Sequence, residues 1–278
     1  MQNPALVAHA PLKMRLVRTI SREVFVTPQR LYAEHPRQWM VRQSELPGDR
    51  KPPHRRRAVR RKTKEVAMAH THAIEPYKQQ LKLTPLQREV LVGILLGDAQ
   101  LETQNRGRTY RLKIEQGATH AAYVQHLYQV FQEWVLTPPQ QKANGNWWFQ
   151  TVSHGAFRFY AHQFYQDGRK RVPPLLHRWL KPRSIAYWFM DDGSLKDPKA
   201  RAVLFNTQGF QREEVERLAQ LLSEQFELEA YLRRQAEGYQ IVIPGRNLTR
   251  FLELVEPYLI PEMRYKLPAT ARTQLPKR

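Results

Sequence analysis

The chain contains no cysteine in its 278 residues. Disulfide stapling, cysteine-ligated zinc and a thiol nucleophile are therefore excluded. It also lacks any apolar run near the ~20 residues that span a bilayer; the longest, such as Val90–Leu96, has seven. A membrane is not the expected partner. The ten His residues show no paired metal-ligand spacing of the H-E-x-x-H kind. Acid is the scarce charge: 25 Asp and Glu face 45 Lys and Arg, a formal net charge of +20. That excess predicts a polyanionic partner, with nucleic acid first. At 41% apolar, the chain can build a real core, with room for one large domain or two small ones.

The charge is unevenly spread. Residues 1–78 carry 17 Lys or Arg against 6 acids, and Lys51–Lys64 holds eight basic residues and no acid. Such a block repels itself, so it reads as an unfolded basic extension. A phosphate-binding arm and a solvated linker are the two readings of Lys51–Lys64. Leu12–Arg18 is basic, acid-free and partly amphipathic; it reads either as a targeting presequence or as a remnant of an upstream reading frame.

The chemistry concentrates in two places. Trp188-Phe189-Met190-Asp191-Asp192-Gly193-Ser194 ends an apolar helical run in two carboxylates and a glycine. Ninety-four residues earlier, Val90-Leu91-Val92-Gly93-Ile94-Leu95-Leu96-Gly97-Asp98 has the same shape. A carboxylate at a helix C-terminus sits against the negative end of the dipole. Two helices that both place one there point to a compensating cation. Asp98 and Asp192, with Asp191 the alternative in the second copy, read as oxygen ligands for Mg²⁺, an ion that takes one or two carboxylates plus substrate phosphates. Thr84-Pro85-Leu86-Gln87 predicts a capping box at the start of the first helix. Gly93 and Gly97, four residues apart, share a face that admits a second backbone, for which the natural partner is the helix Ile185–Met190.

These residues carry a family resemblance. Leu91–Ala99 and Ile185–Gly193 resemble the paired signature helices of the LAGLIDADG homing endonucleases, in the single-chain, two-repeat group related to organellar intron endonucleases and maturases. The likeness runs from Thr84 to Leu267. Ala99 stands in place of the motif's glycine, Leu96 in place of its earlier acid, and Tyr187 in place of a small glycine. The resemblance implies an α+β fold of two pseudo-symmetric αββαββα repeats forming a DNA-binding β-saddle behind a basic N-terminal extension. It divides the chain into an extension (1–78), a first repeat (79–182), a second repeat (183–270) and a tail (271–278). It implies a monomer, encoded in a mitochondrion or chloroplast, that cuts double-stranded DNA at a long asymmetric site with Mg²⁺. The alternatives are a maturase that binds intron RNA and a relative that binds DNA without cutting it.

The pattern between the motifs fits two copies of one unit. Thr109–Gln116 alternates strictly, with Tyr110, Leu112 and Ile114 on one face and Arg111, Lys113 and Glu115 on the other. Ala121–Trp134 and Phe157–Tyr165 have helical spacing, and Asn146–Val152 reads as a strand. In the second copy, Ala202–Thr207 reads as a strand, Val215–Phe226 as a helix, Ala230–Arg234 and Tyr239–Ile243 as a hairpin, and Leu248–Leu259 as the closing helix. Arg111, Lys113, Glu115, Arg233, Arg234, Gln235 and Gln240 are the candidate contacts to phosphates and base edges in a groove. Aligning Glu115-Gln116-x-x-x-His120 with Thr207-Gln208-x-x-x-Arg212, the resemblance implies that Gln116, His120, Gln208 and Arg212 hold the solvent network around the metal. It further implies that Arg246 faces the scissile phosphate, and it makes Lys266 a candidate at the site.

Each phosphate neutralised by a cation contributes roughly −0.9 to the slope of log affinity against log salt. Replacing the eight Lys and Arg of Lys51–Lys64 by Gln is expected to flatten that slope for DNA by several units. An unchanged slope would identify the block as a linker.

Overall fold

A computed structural model describes residues 74–196 and 201–269. The extension calls at Leu12–Arg18 and Lys51–Lys64, and the tail after 269, lie outside the described residues. The helical segment 74–80 runs across the boundary expected at 78. Its Tyr77 hydroxyl donates to the Glu133 carbonyl at 2.5 Å, which fixes the segment to the first repeat.

Helix α1 (Pro85–Leu96) begins at the expected capping box, with the Thr84 hydroxyl and Gln87 side chain each serving the other residue's backbone N–H. It is buried on nearly every side from Val90 to Leu96. Strands β1 (Gln100–Glu102) and β2 (Arg111–Gln116), helix α2 (Ala121–Val130), strands β3 (Gln140–Gln141) and β4 (Trp147–Gln150) and helix α3 (Arg158–Phe164) follow. A two-stranded hairpin, β5 (Tyr165–Gln166) and β6 (Arg169–Lys170), closes the first half. The second half repeats the order: α4 (Pro182–Asp192), β7 (Gly193–Leu195), β8 (Val203–Phe205), α5 (Arg212–Phe226), β9 (Tyr231–Gln235), β10 (Gly238–Ile243) and α6 (Leu248–Val255).

Each half builds one antiparallel four-stranded sheet, ordered β1-β2-β4-β3 in the first and β7-β8-β10-β9 in the second. The matching order and the αββαββα run are the α+β repeat architecture expected. The predicted helices at 121–134 and 248–259 end earlier than expected, because their last turns tighten into 3₁₀ segments at Gln132–Trp134 and Glu256–Tyr258. Short strands β1, β3 and β7 are too brief to leave an alternating pattern.

The registers correct one alignment. Leu101 opposes Leu112 in the first sheet and Leu195 opposes Val203 in the second. Carried along the strands, that register makes Thr207, not Gln208, the counterpart of Gln116. Both Gln116 and Thr207 are buried, whereas Gln208 is half-exposed.

Helix α4 is packed on α1 and under α6. Trp188 stacks on Phe205 with ring centres 4.1 Å apart, and Phe189 meets Phe205 and Phe251 edge-on. The seam between α1 and α4 is close because of glycine. A Cβ at Gly93 would fall inside the contact radius of the Ser184 carbonyl oxygen, and one at Gly97 would overlap the Asp191 carboxylate. Gly93→Ala is therefore expected to cost about 1–3 kcal/mol of stability, as overpacking of a tight core does. An unchanged thermal melt would show that the seam opens freely.

Candidate functional site

The two central helices end side by side, and the site is built at their C-terminal tips. Gly97 leaves space for Asp191, whose Oδ2 accepts the backbone N–H of Asp98 at 3.1 Å. The Gln116 amide bridges the tips. Its Nε2 donates to Asp98 Oδ2 at 2.9 Å and to Asp191 Oδ1 at 3.2 Å. Strand alternation explains its reach, since Leu112, Ile114 and Gln116 share the buried face of β2 and Gln116 is the last residue of that strand. Gln116 Oε1 pairs with His120 Nδ1 at 3.2 Å, and His120 Nε2 pairs with the Tyr265 hydroxyl at 2.8 Å. Beneath the tips, the fully buried Tyr123 is hydrogen-bonded to Asp191.

Two lysines complete the site. Lys170 Nζ donates to the Gly97 carbonyl at 2.5 Å and the Ala99 carbonyl at 3.0 Å. Lys266 Nζ donates to the Met190 carbonyl at 2.5 Å and the Asp191 carbonyl at 2.7 Å. Each ammonium thus satisfies carbonyls left orphaned at a helix C-terminus and offsets the negative end of its dipole. They arrive by different routes. Lys266 lies in the 3₁₀ segment Pro261–Lys266, whereas Lys170 is carried by the β5–β6 hairpin, whose turn residues Asp167 and Gly168 have φ of 50° and 77°. Positive φ at both centres is the demand that Asp-Gly satisfies.

Sequence reasoning missed Lys170, although signals were present. Asp167-Gly168 is a hairpin turn, and Lys170-Arg171-Val172-Pro173 parallels Lys266-Leu267-Pro268 at nearly the offset of the two acids.

The electrostatics follow from crowding three carboxylates, of which Asp191 and Asp192 are half-covered and Asp98 is exposed. Burial, then the Asp98 and Asp192 charges, holds the Asp191 carboxyl well above the ordinary aspartate range. Burial, then Asp98, pushes Asp192 up to about 7, while Lys170 and Lys266 pull it back. Burial lowers both lysines, and the three aspartates oppose that fall. Burial, then Lys266, lowers His120. Among the described residues no group of three or more His, Cys, Asp or Glu side chains forms a metal cage.

Other candidates stand apart from the tips. Arg212 pairs with Glu216 at 2.8 Å in solvent and lies over the Tyr239 ring. Arg246 pairs with Glu229, and both are exposed. On the first sheet, Glu102 takes both Arg111 (2.9 Å) and Lys113 (3.2 Å), and Glu115 takes Lys142 at 2.5 Å. On the second sheet, Arg233 opposes Gln240 and Arg234 opposes Tyr239. Opposed residues share a face. Arg233, Gln235 and Gln240 therefore lie on one face of the hairpin, and Arg234 on the other with Leu232 and Ile241. Gln240 is buried, its amide donating to Asn206 Oδ1 at 2.6 Å.

The profile of the LAGLIDADG DNA endonuclease family matches residues 88–251. This chain belongs to that family. Probable intron-encoded endonuclease 1 of Wickerhamomyces canadensis is 36% identical over 208 residues, 70% of this chain and 89% of that protein. DNA endonuclease I-ChuI of Chlamydomonas applanata is 29% identical over 210 residues, 67% of this chain and 96% of that one. The solved structure of the homing endonuclease I-WcaI bound to its DNA recognition sequence is similar at a TM-score of 0.65 and 36% identity, covering 70% of this chain and 91% of that one. In this LAGLIDADG chain the signature helices place both acids at one seam, and the departures Ala99, Leu96 and Tyr187 are absorbed by packing. Leu96 and Ala99 are buried, and the Tyr187 hydroxyl pairs with His126 Nε2 at 2.6 Å.

An aspartate whose folded pKa lies above its unfolded value binds more protons when folded. Its contribution is favourable below about pH 4 and is lost as pH rises through about 7. Asp192→Asn should therefore raise the melting temperature in EDTA by several degrees at pH 8, and by little at pH 4. An equal effect at both pH values would place Asp192 in solvent.

Proposed function

We propose that this chain is a site-specific endonuclease that hydrolyses both strands of duplex DNA at a long asymmetric target, using a divalent metal, with Mg²⁺ the expected ion. The single observation that carries this reading is the meeting of Asp98, Asp191 and Asp192 with Lys170 and Lys266 at two abutting helix tips. Three acids held together in a basic protein, with Asp191 and Asp192 both raised above the ordinary aspartate range, favour a bound cation. The donor set suits Mg²⁺, which needs only one or two carboxylates when substrate phosphates supply the remainder.

Asp98 and Asp192, one from each repeat, would hold the ion. When bound, it would neutralise phosphate charge and lower the pKa of an attacking water. Asp191 is better suited to positioning, because the Asp98 N–H, Gln116 and Tyr123 already occupy its oxygens. Gln116 orients the Asp98 carboxylate and is itself held by His120. Lys170 and Lys266 keep positive charge beside the reacting phosphates and fix the helix ends. Arg111, Lys113, Glu115, Arg233 and Gln235 would re-pair from their present partners, or from solvent, to phosphates and base edges. Retention of both tip acids favours the nuclease over an RNA maturase, which has no need of them. Kinship with the intron-encoded endonuclease 1 supports an origin in an organellar intron.

Incubation with a DNA library, with and without Mg²⁺, followed by sequencing of cut ends tests the reading. Asp98→Asn and Asp192→Asn should each abolish cutting while leaving binding within a few-fold. Lys170→Met and Lys266→Met should slow it by roughly 10–100-fold, as loss of groups that support a metal site does. Near-normal metal-dependent cutting by either Asn variant would sink the two-acid site.

A further inference from the structure

A second cleft opens at the opposite ends of the same two helices. It is lined by the start of α1, by Phe159 and Tyr160 of α3, and by Trp179 and Lys181 just before α4. Its volume is about 600 Å³, within the roughly 300–1,000 Å³ of small-ligand clefts. Its lining on α1 runs from Pro85 to Val92, and none of the carboxylates or lysines at the helix tips lines it. It is therefore distinct from the cleavage site and from the two sheets.

Two features stand out. Phe159 is 52% exposed, held upright by edge-on contacts to Trp179 at 5.2 Å and Tyr160 at 5.4 Å. The ring stands beside Leu81, Leu83, Tyr160 and Trp179, which give the cleft an apolar floor. The charge around it is of one sign. Lys82, Arg88 and Lys181 line the cleft and are exposed, and Arg158 beside Phe159 is exposed as well. The one acid in the lining, Glu89, is neutralised by Arg183 at 2.6 Å.

We infer that this cleft binds an unpaired polynucleotide segment, stacking a base on Phe159 and laying phosphates against Lys82, Arg88 and Lys181. An open aromatic face flanked by cations is how single strands are held without sequence readout: bases have π-faces, and the backbone tracks positive charge. A rigid duplex offers its bases only as edges in grooves, so it has nothing to set on Phe159. An acidic peptide would satisfy the lysines and leave the ring uncovered.

The full-length protein provides the test. A fluorescent single-stranded oligonucleotide of mixed sequence is titrated by anisotropy, at salt high enough to suppress non-specific attraction to Lys51–Lys64. Phe159→Ala should weaken binding at least about fivefold, the lower end of what loss of one base–aromatic stack costs. Lys82→Glu should weaken it and reduce its salt slope. Both variants should keep wild-type affinity for duplex DNA. Cross-linking with 5-iodouracil in the oligonucleotide should map to the peptides containing Phe159 and Trp179. Preference for ribose over deoxyribose would assign the ligand to RNA, and equal binding to single-stranded DNA as well. Wild-type binding by both variants, cross-links confined to the strands or to residues 1–73, or competition by polyglutamate equal to that by oligonucleotide would each overturn the proposal.

Discussion

The rest of the molecule depends on how closely α1 and α4 approach. Gly93 lets the Ser184 carbonyl in, and Gly97 lets the Asp191 carboxylate in. Without those two absent side chains the tips would separate, and the Asp98 N–H could not reach Asp191. The closeness is also costly. It brings three carboxylates together, with Asp98 open to water and Asp191 and Asp192 partly covered, where desolvation adds to the repulsion. The fold offsets this locally: Gln116, Tyr123 and the Asp98 N–H donate to the acids, and two ammonium groups sit on the neighbouring carbonyls. The site is therefore held in tension between packing, which draws the tips together, and charge, which drives them apart. A cation bound there, as proposed, would relieve the second without disturbing the first.

The two halves share a plan and differ in chemistry. Each sheet has the same strand order, and each helix tip receives one lysine. Yet Lys170 comes from a hairpin that has no counterpart among the described residues of the second half, and Lys266 from a 3₁₀ turn. Gln116 reaches both acids, whereas its counterpart Thr207 turns away to the Tyr239 carbonyl at 2.7 Å. In the second half Asn206 takes over, holding the Asp192 carbonyl through its N–H at 3.0 Å and its side chain at 2.8 Å. Asp98 is thus oriented through its side chain and Asp192 through its backbone. The outer sheet faces differ too. The first carries paired charges around Glu102 and Glu115. On the second, Leu204 and Val242 oppose each other in the middle. A chain with two unlike faces is suited to an asymmetric target, where a symmetric dimer would require a palindrome.

Sequence legibility followed the physics of repetition. The long apolar helices, their caps and the acids at their ends were readable, because burial on all sides, capping chemistry and a repeated tip leave strong local signals. The Gly93 seam was readable for the same reason. Strand register was not, since a one-residue slip between Thr207 and Gln208 changes no local pattern yet exchanges a buried side chain for a half-exposed one. For Arg246 the basic character was visible, while its partner Glu229, seventeen residues away, was not. Lys170 was hidden among Arg169, Lys170 and Arg171. Only the fold distinguishes the one that turns inward to the Gly97 carbonyl, since Arg169 is exposed and Arg171 folds back on the α3 carbonyls of Gln163 and His162.

That last contrast shows what net charge leaves undecided. A total of +20 predicts a polyanion and says nothing of which cations meet it. In this chain the basic residues have three separate uses. Lys170 and Lys266 are turned inward, where their charge opposes buried carboxylates. Arg111, Lys113 and Lys142 are tied into ion pairs on a sheet face, where a phosphate must compete with Glu102 or Glu115 for them. These pairs are half-buried, so a phosphate must match the carboxylate's geometry to displace it. Lys82, Arg88 and Lys181 surround an open ring at the far pole, with the neighbouring acid already neutralised. The same composition therefore supplies the charge around the proposed reaction centre, a paired sheet surface, and a cleft whose charge is still to be matched.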